Sequence, residues 1–392
     1  MQLAQALLGS TNGQNFGYSV ALSDDGSVVA VGAPLASIGG NSEAGLVQVY
    51  EMQNGSWTAR GPPLFGRNAS DQFGSSVSLS SDGSILACGE PTHAAIGDRS
   101  GNVRVFVYGP TNQYELLGLE LPGAAATDYF GTSVKLSGDG YRLAVGAPFV
   151  DVGSASTRNI TGQVQVFTYS NSTWQQLGQP LNGSTHLDAF GMSLDISHDG
   201  TVLCSGAPRN LKYGGYVQCF QYDELVTKEW KPLGLAIRNS IAPLRYDDGW
   251  GQSISLSGNI RVAIGSPGKN SAVADTGLAA VYELSPDNNF WNVLGSPLGI
   301  LSNNPVQGSR FGYSLSLSGN VLAVGIPGAD EVGLYQLLST NTSWVRYPQT
   351  MVGRPNSQYG LSVKLVPANF TLAIGSPYTI GTSPGTVTVY QS

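Results

Sequence analysis

The sequence predicts an all-β fold, a seven-bladed β-propeller of four-stranded antiparallel blades, on three observations. Residues 16–34, FGYSVALSDDGSVVAVGAP, return as recognisable copies that start at Phe73, Phe130, Phe190, Trp250, Phe311 and Tyr359. The aromatic-Gly pairs lie 57, 57, 60, 60, 61 and 48 residues apart, and such periods mark one supersecondary unit stacked many times. Inside each copy, short alternating or β-branched runs are divided by Gly-containing turns, the signature of strands.

The elements of one unit follow in order. Residues 19–23 alternate with period two, residues 28–31 form a β-branched run, and Asp24-Asp25-Gly26 between them is the hairpin turn, because Asp and Gly tolerate positive φ. A third strand is expected over residues 45–50 and a fourth from about Trp57. Seven such units account for residues 1–392 as one closed domain with little exposed edge. On the first strand a small residue recurs, at Ser19, Ser76, Ser133, Ser193, Ser253, Ser314 and Ser362. Small against bulky is the expected way for neighbouring blades to interdigitate near a crowded axis.

The ring is expected to close through the N-terminus. The seventh repeat stops after a third strand at Tyr390, and residues 3–10 align with residues 177–184, the outer strand of the third repeat. Residues 1–10 should therefore complete the seventh blade, and Met1 is expected to be a start added to a mature fragment.

The aromatic-Gly pair followed by Gly-Ala-Pro or its variants (Gly32-Ala33-Pro34, Gly89-Glu90-Pro91, Gly146-Ala147-Pro148, Gly206-Ala207-Pro208, Gly265-Ser266-Pro267, Gly325-Ile326-Pro327, Gly375-Ser376-Pro377) resembles FG-GAP repeats, the units of the integrin α-subunit propeller. The resemblance covers essentially the whole chain. It implies an extracellular recognition or adhesion module, integrin α-like in architecture. Integrin-type repeats often bind calcium in the first hairpin, through several acids in a dozen residues. Here those hairpins carry one or two acids, as in Asp24-Asp25, Asp82, Asp139 and Asp199, so calcium loops are not carried over and no metal or cofactor is expected.

Composition narrows the remaining classes. Net charge is −7 with only 19 Lys and Arg, against the basic stripe that nucleic acid requires. No apolar stretch approaches the roughly 18 residues of a membrane span. Three cysteines make no disulfide framework; Cys204 and Cys219 fall on neighbouring strands of blade four, where two buried apolar residues are expected and a disulfide is the alternative. No nucleophile elbow, zinc spacing or phosphate loop is present, and no catalytic residue is assigned. His93, with Asp98 and Arg99 nearby, reads as solvated surface. Asp71, Asp128, Asp188 and Asp247-Asp248, just before the aromatic-Gly pairs, point to a repeated structural role.

Partner binding is expected on the face formed by the second-to-third-strand loops, called top here. Asp151, Arg158, Arg209, Lys212 and Tyr213 gather on two adjacent loops of blades three and four, and Arg and Tyr commonly carry interface energy. The expected partner is a protein or glycan, and the domain is expected to be monomeric. Sequons at Asn54, Asn68, Asn159, Asn171, Asn182, Asn341 and Asn369 suit a secreted glycoprotein. The alternatives are the propeller of a glycan- or lipid-acting hydrolase, or a structural surface protein. Along the axis, Ala21, Ser78, Lys135, Asp195, Ser255, Ser316 and Lys364 are expected to line a wet channel, with Lys135 and Asp195 on adjacent blades placed to pair.

Overall fold

The computed structural model describes residues 2–153, 159–240, 245, 247–270, 274–287, 289–299, 306–338, 343–349, 351–367, 370–378 and 384–391. Seven antiparallel sheets follow one another along the chain, each with an inner, second, third and outer strand. In the first blade these are Ser19–Leu22, Val28–Ala33, Leu46–Gln53 and Ser56–Ala59. The third strand runs past the expected residue 50, because the hairpin turns at Asn54-Gly55, both at positive φ, as a two-residue loop demands. Second strands such as Val28–Ala33 and Val202–Ala207 are buried throughout, which is why they read as unbroken apolar runs.

The ring closes as the repeat arithmetic implies. The N-terminal strand Gln2–Leu8 pairs antiparallel with Thr386–Gln391 as the outer strand of blade seven, Leu8 opposite Thr386. Leu7 is buried there and Leu8 exposed.

The repeated motif builds the joints between blades. Each aromatic-Gly glycine, Gly17 to Gly360, has φ between +81° and +93°, a region L side chains avoid. Each such carbonyl accepts the hydroxyl of the repeated inner-strand serine one blade earlier: Ser19 to Gly74 at 2.8 Å, Ser193 to Gly251 at 2.6 Å, and so on to Ser362, which reaches Gly17 at 2.8 Å. The serines were expected only as small packing residues; they form a ring of seven inter-blade hydrogen bonds, each worth about 1 kcal/mol. The first glycine of each Gly-Ala-Pro faces the same carbonyl, where a Cβ would stand 2.0–2.1 Å from the oxygen.

Hydrophobic burial is likewise shared between neighbours. One cluster unites Val202, Cys204 and Cys219 of blade four with Ile264 and Leu278 of blade five. The aromatics that open the outer strands do more than cover edges. The indole N–H of Trp174, Trp230, Trp291 and Trp344 donates to Leu117, Leu177, Leu233 and Leu294 of the preceding blade, at 2.8–3.0 Å. Cys204 and Cys219 stand directly opposite in register, with Cα atoms 4.0 Å apart, and form a disulfide rather than two separate apolar fillers.

Candidate functional site

Inner strands run from the top face toward hairpins at the opposite, lower face, so each contributes one residue to every level of the axis. The upper level is the closed serine ring. One step lower stand Ala21, Ser78, Lys135, Asp195, Ser255, Ser316 and Lys364. Where this residue offers an oxygen, it accepts the backbone N–H of the next blade: Ser78 from Leu136 (3.0 Å), Asp195 from Leu256 (2.8 Å), Ser255 from Leu317 and Ser316 from Leu365 (both 2.9 Å). Lys135 Nζ lies 3.2 Å from Asp195 Oδ1, so the adjacent-blade pair forms. Below them a cavity of about 350 Å³ opens among the hairpins, walled by Lys135, Asp195, Lys364, Asp24, Ser81 and His198. Lys135 beside it, and then burial, hold the Lys364 ammonium down to about 8, with Asp195 and Asp24 opposing.

At the cavity rim Ser81 Oγ donates to Asp24 Oδ2 at 2.6 Å and lies 3.0 Å from His198 Nε2. Asp24 Oδ2 is 3.5 Å from that same nitrogen. A charge-relay triad needs the acid on the far imidazole nitrogen, so these three residues do not form one. The hairpin acids themselves are turn-formers: Asp25, Asp82 and Asp199 each accept from a Ser hydroxyl two residues before and from an amide two residues after.

On the top face the proposed binding residues separate into two neighbouring arrays. Arg209 is exposed and lies 5.3 Å over the ring of Phe149, across the joint of blades three and four; Phe149 in turn meets Tyr129 edge-on. Tyr213 is flanked by Lys212 at 5.1 Å and Arg238 at 4.2 Å. Arg238 escaped the sequence reading because it sits on a different element, the short strand Ile237–Arg238 that pairs with Tyr216 and Val217. Leu211 on the blade-four loop is 63% exposed, and Leu187, on the segment that connects blades three and four, is 44% exposed. Asp151 is exposed but serves its own loop, accepting the amides of Gly153 (2.9 Å) and Asn159 (2.6 Å). Arg158 lies outside the described residues.

The acids before the aromatic-Gly pairs cap the connecting segments. Asp71 takes the Arg67 and Asn68 amides, Asp128 that of Ala125, Asp188 those of Ser184 and Thr185, and Asp248 that of Arg245. His93 is not solvated surface: its Nδ1 lies 2.8 Å from Asp71 and 3.7 Å from Glu90. Glu90 is buried and paired with buried Arg104, whose guanidinium also donates to Phe65 O and stands 4.2 Å over Phe73. Burial pushes the Glu90 carboxyl up against the opposing pull of Arg104. Burial would raise Asp71 too, but hydrogen bonds from His93 and two amides hold it low. The Asp71 hydrogen bond raises the His93 pKa, against burial. One ligand atom from each of Asp71, Glu90 and His93 falls within 4.8 Å of the others, a grouping able to gather a cation, though Arg104 already supplies Glu90 with positive charge. In the joint of blades four and five, Lys269 Nζ and Asp248 Oδ2 are 2.9 Å apart and both fully enclosed.

Among the sequons, Asn54 and Asn171 are exposed at tips of third-to-fourth-strand hairpins at positive φ. Asn68 and Asn182 are exposed and Asn159 half-buried; Asn341 and Asn369 lie outside the described residues. Among the described residues, no helix is long and apolar enough to cross a membrane.

Among solved structures the chain is similar to a putative 6-phosphogluconolactonase from Bacteroides uniformis, at 12% identity and TM-score 0.58, covering 86% of this chain and 85% of that one. It is also similar to U3-55K, at 13% identity, TM-score 0.59 and 99% coverage of both chains. A third is the periplasmic gluconolactonase PpgL of Pseudomonas aeruginosa, at 14%, 0.58, 86% and 85%. At such identities the likeness is one of fold. No curated relative matches the sequence. Residues 119–167, from the end of blade two into the third strand of blade three, match the FG-GAP repeat. With that repeat matched once and seven four-stranded sheets following one another along the chain, the protein is a seven-bladed β-propeller that carries an FG-GAP repeat.

Proposed function

We propose that this propeller is an extracellular recognition module that binds a carboxylate-bearing protein or glycan through its top face at blades three and four. The observation that carries the reading is the paired cation-aromatic surface. Arg209 over Phe149, and Tyr213 between Lys212 and Arg238, put three cations and two rings beside exposed Leu187 and Leu211. The chain as a whole carries −7, so cations are concentrated here against its general charge. Guanidinium groups offer bidentate forks to carboxylates, and a ring that props a cation lowers the entropy lost on binding. The Cys204–Cys219 disulfide and the exposed Asn54 and Asn171 sequons support an oxidising, extracellular setting.

A hydrolase is the second reading, favoured by two lactonase-titled structural neighbours and by the axial cavity. Against it, Asp195 is held by Lys135 and by the amides of Ile196 and Leu256, which leaves no free carboxylate at that level for acid-base work.

The test is binding of the purified chain to glycan arrays and to immobilised extracellular-matrix proteins. Arg209→Ala with Tyr213→Ala should weaken the binding found by about tenfold or more, as loss of hot-spot residues does. Asp82→Ala, on the lower face, should not change it. The reverse pattern would put recognition on the lower face, and lactone hydrolysis by the purified chain would favour the enzyme.

A further inference from the structure

Two lysines line the lower throat of the axis, and the carboxylates of its wall, Asp195 and Asp24, are engaged by partners other than Lys364. Lys135 enters from blade three, Asp195 from blade four and Lys364 from blade seven, around a cavity of about 350 Å³. Asp195 is fully engaged. Its Oδ1 meets Lys135 at 3.2 Å and the Ile196 amide at 3.1 Å, and its Oδ2 takes the Leu256 amide at 2.8 Å. Lys364 makes no ion pair with any described carboxylate; it lines the same cavity as Lys135, and the charge of that ammonium disfavours its own. Asp24, the other acid of the wall, is turned to Ser81 and His198 at the rim. Asp195 is thus bonded to Lys135 alone of the two lysines, and Lys364 stands in the cavity wall with no carboxylate bonded to it among the described residues.

We propose that the lower mouth of the axial channel binds a small oxyanion, a carboxylate or phosphate group, gripped between Lys135 and Lys364. The cavity sits at the small end of ligand pockets, roughly 300–1,000 Å³, so it suits a small molecule and not a polymer chain. Ser78 adds a polar neighbour on the wall: its Oγ accepts the Leu136 amide and keeps its own O–H to donate. A bound anion relieves the repulsion between the two lysines and so draws a proton onto Lys364, which Lys135 holds at about 8. The titratable groups that face Lys364 are Lys135, Asp195 and Asp24, with His198 at the rim. The site lies on the opposite face from the top loops and is independent of the recognition function.

The experiment is calorimetric titration of the full chain with inorganic phosphate and with citrate, near pH 8, in buffers of different ionisation enthalpy. Binding by either anion, with proton uptake and a loss of affinity at higher salt, is the expected result. Lys364→Met and Lys135→Met should each weaken it by about tenfold, the scale of one lost charge-assisted contact. Asp195→Asn should tighten it, because Lys135 is released while an amide oxygen remains for Leu256. No heat with either anion, binding without proton uptake, binding that survives Lys364→Met, or weaker binding in Asp195→Asn would each overturn the proposal. Proton uptake is read on the unmodified chain, so the result stands even if a lysine variant folds poorly.

Discussion

The joint between blades one and two and the joint between blades four and five begin with the same device and end with different chemistry. In both, an acid two residues before the aromatic-Gly pair, Asp71 or Asp248, caps the amides of the connecting segment. In both, its partner stands two residues beyond the Pro of the Gly-Ala-Pro motif. That partner is His93 in one and Lys269 in the other. Blade four supplies Asn210, whose Nδ2 donates to Asp188 at 2.7 Å. Blade three supplies Val150, and there burial, with Asp151 adding to it, leaves the Asp128 carboxyl raised. The acid is demanded by the backbone it caps, while its partner is a free choice that decides whether the joint answers to pH.

The largest effect should come from removing the enclosed cation. Lys269→Met takes the cation from buried Asp248 Oδ2, which also accepts from the Arg245 amide and Asn239 Nδ2, a loss of about 3–5 kcal/mol for a broken buried pair. Denaturant unfolding checks it. A loss below about 1 kcal/mol, the scale of an exposed pair, would show that water reaches this joint.

Next comes the Glu90–Arg104 pair. Arg104→Gln alone strands Glu90, but the cost should be smaller than for Lys269→Met, because burial already raises Glu90 and the carboxyl escapes by taking a proton. Joining it to Glu90→Ala restores the residues that blades one, three and four carry at these positions, Ala33 with Gln48, Ala147 with Gln165 and Ala207 with Gln218. In blades one and four that glutamine donates to two carbonyls of the interrupted outer edge. The double variant should therefore recover most of the stability lost by the single one. If the two losses simply add, the pair is not coupled.

How much of this was readable in advance follows from what repeats. Anything that recurs in register, such as the aromatic-Gly pair, the inner-strand serine and the closing N-terminal strand, was legible as fold, although the serine's hydrogen bond needed the neighbouring blade to be seen. The joint acids were legible for the same reason. What stayed hidden depends on residues distant in sequence: His93 reaches back 22 positions to Asp71 and Lys269 back 21 to Asp248, and Arg238 meets Tyr213 from the short strand Ile237–Arg238. One signal was available and underused. Glu90 breaks Gly-Ala-Pro at a buried position, and a buried acid calls for a cation.

A smaller, pH-dependent effect separates the two joints. His93 has a folded pKa above its unfolded value, so its stabilisation is complete below the unfolded value and is lost as pH rises through the raised one. Asp71 is depressed, so its share is present above its unfolded value and lost as pH falls through the folded one. Between those limits the joint is firmest. Lys364 works oppositely, since a lysine held at about 8 makes stability rise with pH from there to the unfolded lysine value. The comparison is therefore with His93→Asn, which copies Asn210 and keeps Lys364. Melting temperatures of the unmodified chain, relative to that variant, should fall from mildly acidic to mildly alkaline pH; parallel curves would mean that His93 does not titrate in the joint.

The smallest expected effect concerns metal. Asp71, Glu90 and His93 bring ligand atoms within 4.8 Å, and the hard or borderline cations such a set suits must compete with a guanidinium already paired to Glu90. Bringing a divalent ion beside Arg104 costs Coulomb energy in a buried place, where charges are poorly screened. Zinc or calcium should therefore leave the melting temperature of the unmodified chain nearly unchanged. In Arg104→Gln the same three residues lose their cation and keep their geometry, so zinc should stabilise that variant, and a chelator should reverse the gain. Equal stabilisation of both proteins would show that Arg104 does not fill the charge requirement of the site. None in either would reduce the cluster to an ion-paired joint, distinguished from that of Lys269 by its response to pH alone.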